Sequence, residues 1–402
     1  MNKLAPAPPC TRRRVLPARA GFLLCAALLA APAFALPTTP LDDNEVVERL
    51  SPRAAAQRAE RAALARGALP LQQAVATAQR AIERARQEGD PRELGAAQAA
   101  LAPWWAQADA PPAVRLLRAT LQQSQHHFEP ALVELQLLWS APSTPLDIRA
   151  QAGLTRATLL QVLGRHLQAQ AACTELQHAR FAPLGAAVAM AARTCGAELR
   201  SLTADPRAAA ADLKALAALS PADPWLALLR AELAERLGDH LAAEPLFRQA
   251  STQGGVYARA AHADWLLDRG RPREVLGLLA GGPADADALL LRRAIALKRL
   301  NDSAAGATGA RLQARFDAAR QRGENLHLRE EARLALDVHA DAPRALALAL
   351  AQWAQQKEPA DAVLLWRAAQ AAGRPAAAAA LRGWLPDPAA ADVRLAGWKA
   401  AS

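Results

Sequence analysis

One short turn recurs along this chain of 402 residues, and it leaves few folds open. The segments "GDPRELGAAQAAL" from Gly89, "ADPRAAAADLKAL" from Ala204, "GRPREVLGLL" from Gly270, "DAPRALALAL" from Asp341 and "GRPAAAAALR" from Gly373 share one plan. A Gly or Asp is followed by Pro, and Pro by a helical run. Proline can open a helix, because the N–H it lacks has no partner in the first turn. The Gly or Asp before it closes the preceding helix or caps the new one. "HHF" at His126–Phe128, "GRH" at Gly164–His166 and "GDH" at Gly238–His240 keep the role without proline. The third turn residues are Pro91, Phe128, His166, Pro206, His240, Pro272, Pro343 and Pro375. Their steps are roughly 32 to 40 residues, apart from one gap of about twice that, in which "RLNDSA" (Arg299–Ala304) supplies a further turn. Ala, Leu, Arg, Gln and Glu favour helix, whereas β-branched and aromatic residues are sparse. At 52% apolar the chain is too hydrophobic for disorder. The expectation is an all-α array of helical hairpins.

Residue types between the turns are those that close hairpin packing requires. In "LRAELAERLGDHLAAEPLFRQA" (Leu229–Ala250), the small Ala231 precedes the Gly238-Asp239 turn, and Ala243, Phe247 and Ala250 follow it. Small residues let two helices approach, and the large one fills the space toward the next hairpin. Ala157, Gly164 and Ala169 repeat the spacing, as do Ala119, Ala131 and Leu135. With a period near 34 residues, these positions resemble the tetratricopeptide repeat (TPR) family. "GDPRELGAAQAALAPWW" (Gly89–Trp105) is similar to the opening of exported bacterial TPR proteins. The resemblance covers about residues 70–385 and implies a right-handed α-solenoid of about eight TPR-like hairpins. The family's usual Trp-Leu-Gly-Tyr run is here largely replaced by Ala and Leu. Trp225, Trp265, Trp353 and Trp366 are expected to pack between helices.

The expected organisation is a cleavable signal peptide at 1–35, an N-terminal helix or linker at 36–68, the solenoid at 69–385 and a capping tail at 386–402. Lys3, Arg12, Arg13, Arg14 and Arg19 form a basic start, "AGFLLCAALLAAPA" a short apolar run, and Ala33-Phe34-Ala35 a small-x-small cleavage site. The apolar run is short for a membrane anchor, which is the alternative. "TRRRVL" (Thr11–Leu16) also resembles a twin-arginine signal. Cleavage near Ala35 would leave a periplasmic protein. Removing the five basic residues before Ala35 takes Lys plus Arg from 48 to 43 against 38 acidic residues, a balance of +5. No basic block remains, which argues against nucleic acid.

Catalytic motifs are absent: there is no HExxH, CxxC, GxSxG or phosphate-cradling glycine loop. His126-His127 lacks a third ligand, so no metal is expected, and no cofactor. Cys173 and Cys195 survive signal cleavage and fall on neighbouring helices in the repeat register. They are expected as a disulfide, with two buried free thiols as the alternative. No repeat carries the paired Asn and Lys with which some TPR domains clamp a terminal carboxylate.

The remaining surface is the concave face, lined in such arrays by the first helix of each hairpin. The residue after each small position gives Thr120, Thr158, Glu198, Glu232, Asp264 and Ile295; one turn on lie Gln123, Gln161, Ser201, Glu235 and Asp268, then Lys298 and Arg299. The partner groove is therefore expected at Thr158, Gln161, Glu198, Glu232, Glu235, Asp264, Asp268 and Lys298, with acids at its centre and bases later. A face charged only for solubility would carry the same pattern. The leading expectation is a non-enzymatic exported scaffold that holds an unidentified protein or peptide and associates with an envelope complex. The alternative is an envelope enzyme or carbohydrate-binding protein on an α-solenoid, which requires Glu232, Glu235, Asp264 and a Trp to converge. A mere spacer without a groove is the third.

Overall fold

The computed structural model describes Asp42 and residues 69–203, 205–283, 286–321, 323, 327–385, 387 and 391–401. The chain divides into two compact units, Met1–Arg58 and Ala59–Ser402, and the fold below is that of the second. The expected signal segment, its cleavage site and most of the 36–68 linker lie outside the described residues.

Among the described residues there is no strand, and the helices pair into nine successive hairpins. The first three are Leu71–Glu88 with Arg92–Ala100, Pro112–Ser124 with Phe128–Ser140, and Leu146–Val162 with His166–Glu175. The next three are Ala186–Thr203 with Pro206–Leu219, Pro224–Arg236 with His240–Gln253, and Gly255–Asp268 with Pro272–Leu279. The last three are Asp287–Arg299 with Ala304–Gln321, Leu328–Asp337 with Ala342–Gln355, and Pro359–Ala371 with a 3-10 helix, Pro375–Leu381. The count exceeds the expected eight because "RLNDSA" is a true turn.

Turn chemistry explains the boundaries. Gly238 and Gly270 end their helices at φ +75° and +68°, a left-handed conformation that costs a residue with a Cβ about 1 kcal/mol or more. His126, Asn301 and Ala340 take the same conformation at the equivalent turns. The carboxylate of Asp205 accepts from the amides of Arg207 and Ala208 at 3.0 and 2.9 Å, and that of Asp239 accepts from Ala242 at 3.1 Å. These bonds satisfy helix-start donors that have no other partner. Ala231, Ala243, Phe247 and Ala250 are all at most 1% exposed, as the packing pattern requires.

"GRPAAAAALR" departs from expectation. It forms a 3-10 helix rather than an α-helix. The carbonyls of Ala378 and Ala380 accept from the indole N–H groups of Trp398 and Trp353, each at 3.0 Å. Those two bonds give donors to carbonyls in the last turn, where a helix supplies none. Leu395 and Trp398 of the last segment are buried in the same apolar cluster, so they cap the final hairpin.

Late hairpins return against early ones. Gly89, after the first helix, lies against Val256 of the sixth hairpin, and Ala286 is closer still. The Lys357 amide donates to the Val162 carbonyl at 2.7 Å, joining the third hairpin to the start of the ninth. His166 meets the Trp384 ring at 6.4 Å. The solenoid is wound so that late hairpins touch early ones, and its concave face becomes the wall of an axial cavity.

Candidate functional site

First helices of hairpins three to nine wall this cavity, whose volume is about 800 Å³. Thr158, Gln161, Glu198, Glu232, Glu235, Asp264 and Asp268 all line it, although they are spread over more than a hundred residues of sequence. Lys298 does not; it is exposed, and in its hairpin Arg292 lines the cavity instead. Ile295, expected on the inner face, is fully buried in the apolar cluster with Leu334 and Val338. That helix therefore turns its expected face toward the next hairpin. Ser201 is also buried and accepts from Arg236 at 2.7 Å.

An acidic centre is not what the fold produces. The gradient along the chain becomes an opposition across the cavity, because winding brings the basic late hairpins over the acidic middle ones. The wall carries eight carboxylate and eight cationic side chains. Arg292 binds Asp264 through two bonds of 3.0 and 2.6 Å, and Arg333 adds a third of 2.6 Å. Burial alone would raise Asp264, but these two guanidiniums hold its carboxyl at about 2. Arg329 grips Asp361 at 2.6 and 2.7 Å and also bonds Glu358.

Glu232 and Glu235 stand differently. Desolvation pushes each to about 7; Arg236 pulls against that shift at Glu232 and Arg394 at Glu235, and Glu198 adds to it at Glu232. Glu235 is held by Arg394 at 2.9 Å. Glu232 accepts from the Tyr257 hydroxyl at 3.3 Å, and Glu198 from the Gln161 amide at 2.8 Å. Desolvation raises Glu198 and Asp268 as well.

Trp225 corrects the reading of the tryptophans. Trp265, Trp353 and Trp366 are buried between helices, but Trp225 is 51% exposed and lines the cavity. Its ring lies 6.4 Å from that of Tyr257, which is equally exposed. Sequence reasoning overlooked Tyr257 and the arginine wall. The single tyrosine of the chain, one turn before Ala261 on a first helix, was the available signal. Among the described residues no group of His, Cys, Asp and Glu is placed to hold a metal.

Cys173 and Cys195 form a disulfide between the third and fourth hairpins. Cys195 also borders the cavity, so the bond pins one wall to its neighbour.

No protein-family model matches the sequence, and no curated protein matches it. The chain is similar to a tetratricopeptide repeat protein from Parabacteroides merdae known from a crystal structure, at 17% identity and a TM-score of 0.29, over 73% of this chain and 98% of that one.

Proposed function

We propose that this is a non-enzymatic binding scaffold, and that its axial cavity holds a short polypeptide segment of a partner protein. One observation carries the reading: polar side chains of hairpins three to six converge on a single cavity of about 800 Å³. That size suits a few side chains rather than a folded domain. Export to the periplasm, with cleavage near Ala35, is part of the proposal. The basic and apolar N-terminal residues support it, and so does the disulfide, which belongs to oxidising compartments. Association with an envelope complex is a further part of the proposal.

The test is in-cell photocrosslinking of the full chain, with a photoreactive residue at Trp225 or, as control, at Leu167, which is 90% exposed on a second helix. A discrete protein adduct from position 225 that is missing from position 167 is expected. Adducts from 167 alone would move the interface to the outer face.

A second reading has its own support. Glu232, Glu235, Asp264 and Trp225 do line one cavity, the convergence an envelope enzyme or carbohydrate binder needs. Yet Asp264 is tied by two arginines and Glu235 by Arg394, whereas Glu232 has no ion pair among the described residues. Release of soluble fragments from purified peptidoglycan by the wild type, abolished in Glu232→Gln, would replace the scaffold reading.

A further inference from the structure

The carboxylates facing the cavity differ in what answers them. Asp264, Glu358 and Glu235 each bind a guanidinium. Glu198 and Glu232 receive only neutral donors, the amide of Gln161 and the hydroxyl of Tyr257. Arg236, in the same wall, turns its Nη2 to Ser201, and its Nε has no hydrogen-bond partner. So two desolvated acids keep lone pairs that no charged donor among the described residues has taken.

Two independent observations add to this. Trp225 and Tyr257 leave half their surface open beside these acids, although large aromatic faces are normally covered. An indole and a phenol next to carboxylates attract an organic cation by its charge and by the negative faces of the rings. A neutral ligand could stack there but would leave the acids unanswered, and an anion would be repelled. The wall also already accepts such a group: Arg394, arriving from the C-terminal segment, lays its guanidinium on Glu235 at 2.9 Å while Asp392 holds it at 2.7 Å.

We infer that Trp225, Tyr257, Glu232 and Glu198 form a subsite for the cationic head of a lysine or arginine side chain carried by the bound segment. This rests on the cavity reading above and names the chemistry of its occupant.

The experiment selects from a displayed library of random octapeptides on the immobilised full chain. Captured peptides are then resynthesised with each arginine replaced by citrulline and each lysine by norleucine. Binding is measured to wild type, Trp225→Ala, Glu232→Gln and the outer-surface variant Leu167→Ala. Peptides rich in Arg or Lys are expected, weakened tenfold or more by neutral replacement, by E232Q and by W225A, and unaffected by L167A. Glutamine matches glutamate in shape, and circular dichroism confirms that each variant is folded. Peptides that depend on Trp225 but bind equally after neutral replacement would overturn this inference and leave the cavity reading standing. Peptides indifferent to both cavity variants would overturn the two together.

Discussion

Glu232 and Asp264 occupy equivalent positions on consecutive first helices, yet their carboxyls lie about five pH units apart, at about 7 and about 2. Both are desolvated; the difference is that Arg292 and Arg333 bond Asp264, whereas no arginine among the described residues bonds Glu232 and Arg236 only stands near it. The two substitutions should therefore move stability in opposite directions. Asp264→Asn leaves the buried Arg292 without its acid and Arg333 with Asp337 alone, and should cost about 3 kcal/mol in chemical denaturation. For Glu232 the folded value is raised, so its stabilising effect is complete below the ordinary value of 4.5 and lost as pH rises through about 7. Glu232→Gln should thus be more stable than wild type by about 1 kcal/mol at pH 8, after allowance for partial exposure, and indistinguishable from it at pH 4. Equal effects at both pH values would show that the shift is absent. The positions of both acids were legible from the repeat register. Their fates were not, because Arg333 lies 69 residues beyond Asp264 and no local pattern pairs them.

At the scale of single elements the sequence was most informative, since a hairpin is closed by its own turn and its own small residues. "GRPREVLGLL" is a stop, a bend and a start, as its glycine and proline indicate. Gly270→Ala meets no neighbour and pays only for its left-handed backbone, so it should lose about 1 kcal/mol in a thermal or denaturant midpoint. The echo at Gly373 winds instead as a 3-10 helix whose Ala378 and Ala380 carbonyls accept from two tryptophans, contacts that no local pattern announces. The Cys173–Cys195 bond closes a loop of 22 residues between hairpins and should contribute roughly 3 kcal/mol. Reductant should lower the unfolding midpoint of wild type and leave a Cys173→Ala, Cys195→Ala variant unmoved.

Across the whole solenoid, the repeat period comes within one of the number of hairpins but says nothing of how steeply they wind. Pitch is settled by contacts between hairpins far apart in sequence, such as Gly89 on Val256 and the Lys357 amide on the Val162 carbonyl. That is why the array was foreseen as an open groove and found as a cavity between opposed charges. Gly89 and Gly373 share a left-handed backbone, at φ +66° and +65°, but only Gly89 has a neighbour within reach, with Ala286 and Val256 at 3.0 and 3.3 Å from an added Cβ. Gly89→Val should consequently raise the radius of gyration in solution scattering, whereas Gly373→Val should weaken the fold without enlarging it.

The seam between the third and ninth hairpins has a kinetic meaning. A side chain bound beside Trp225 must enter along the axis or wait for that seam to part, and parting it breaks few bonds. Opening is then a local fluctuation, far more frequent than global unfolding. For an occupant that uses the seam, association and dissociation should both be limited by that opening. The Lys357 amide, freed each time the seam opens, would be the clock: its hydrogen exchange sets the fastest rate at which an occupant using that route can come or go.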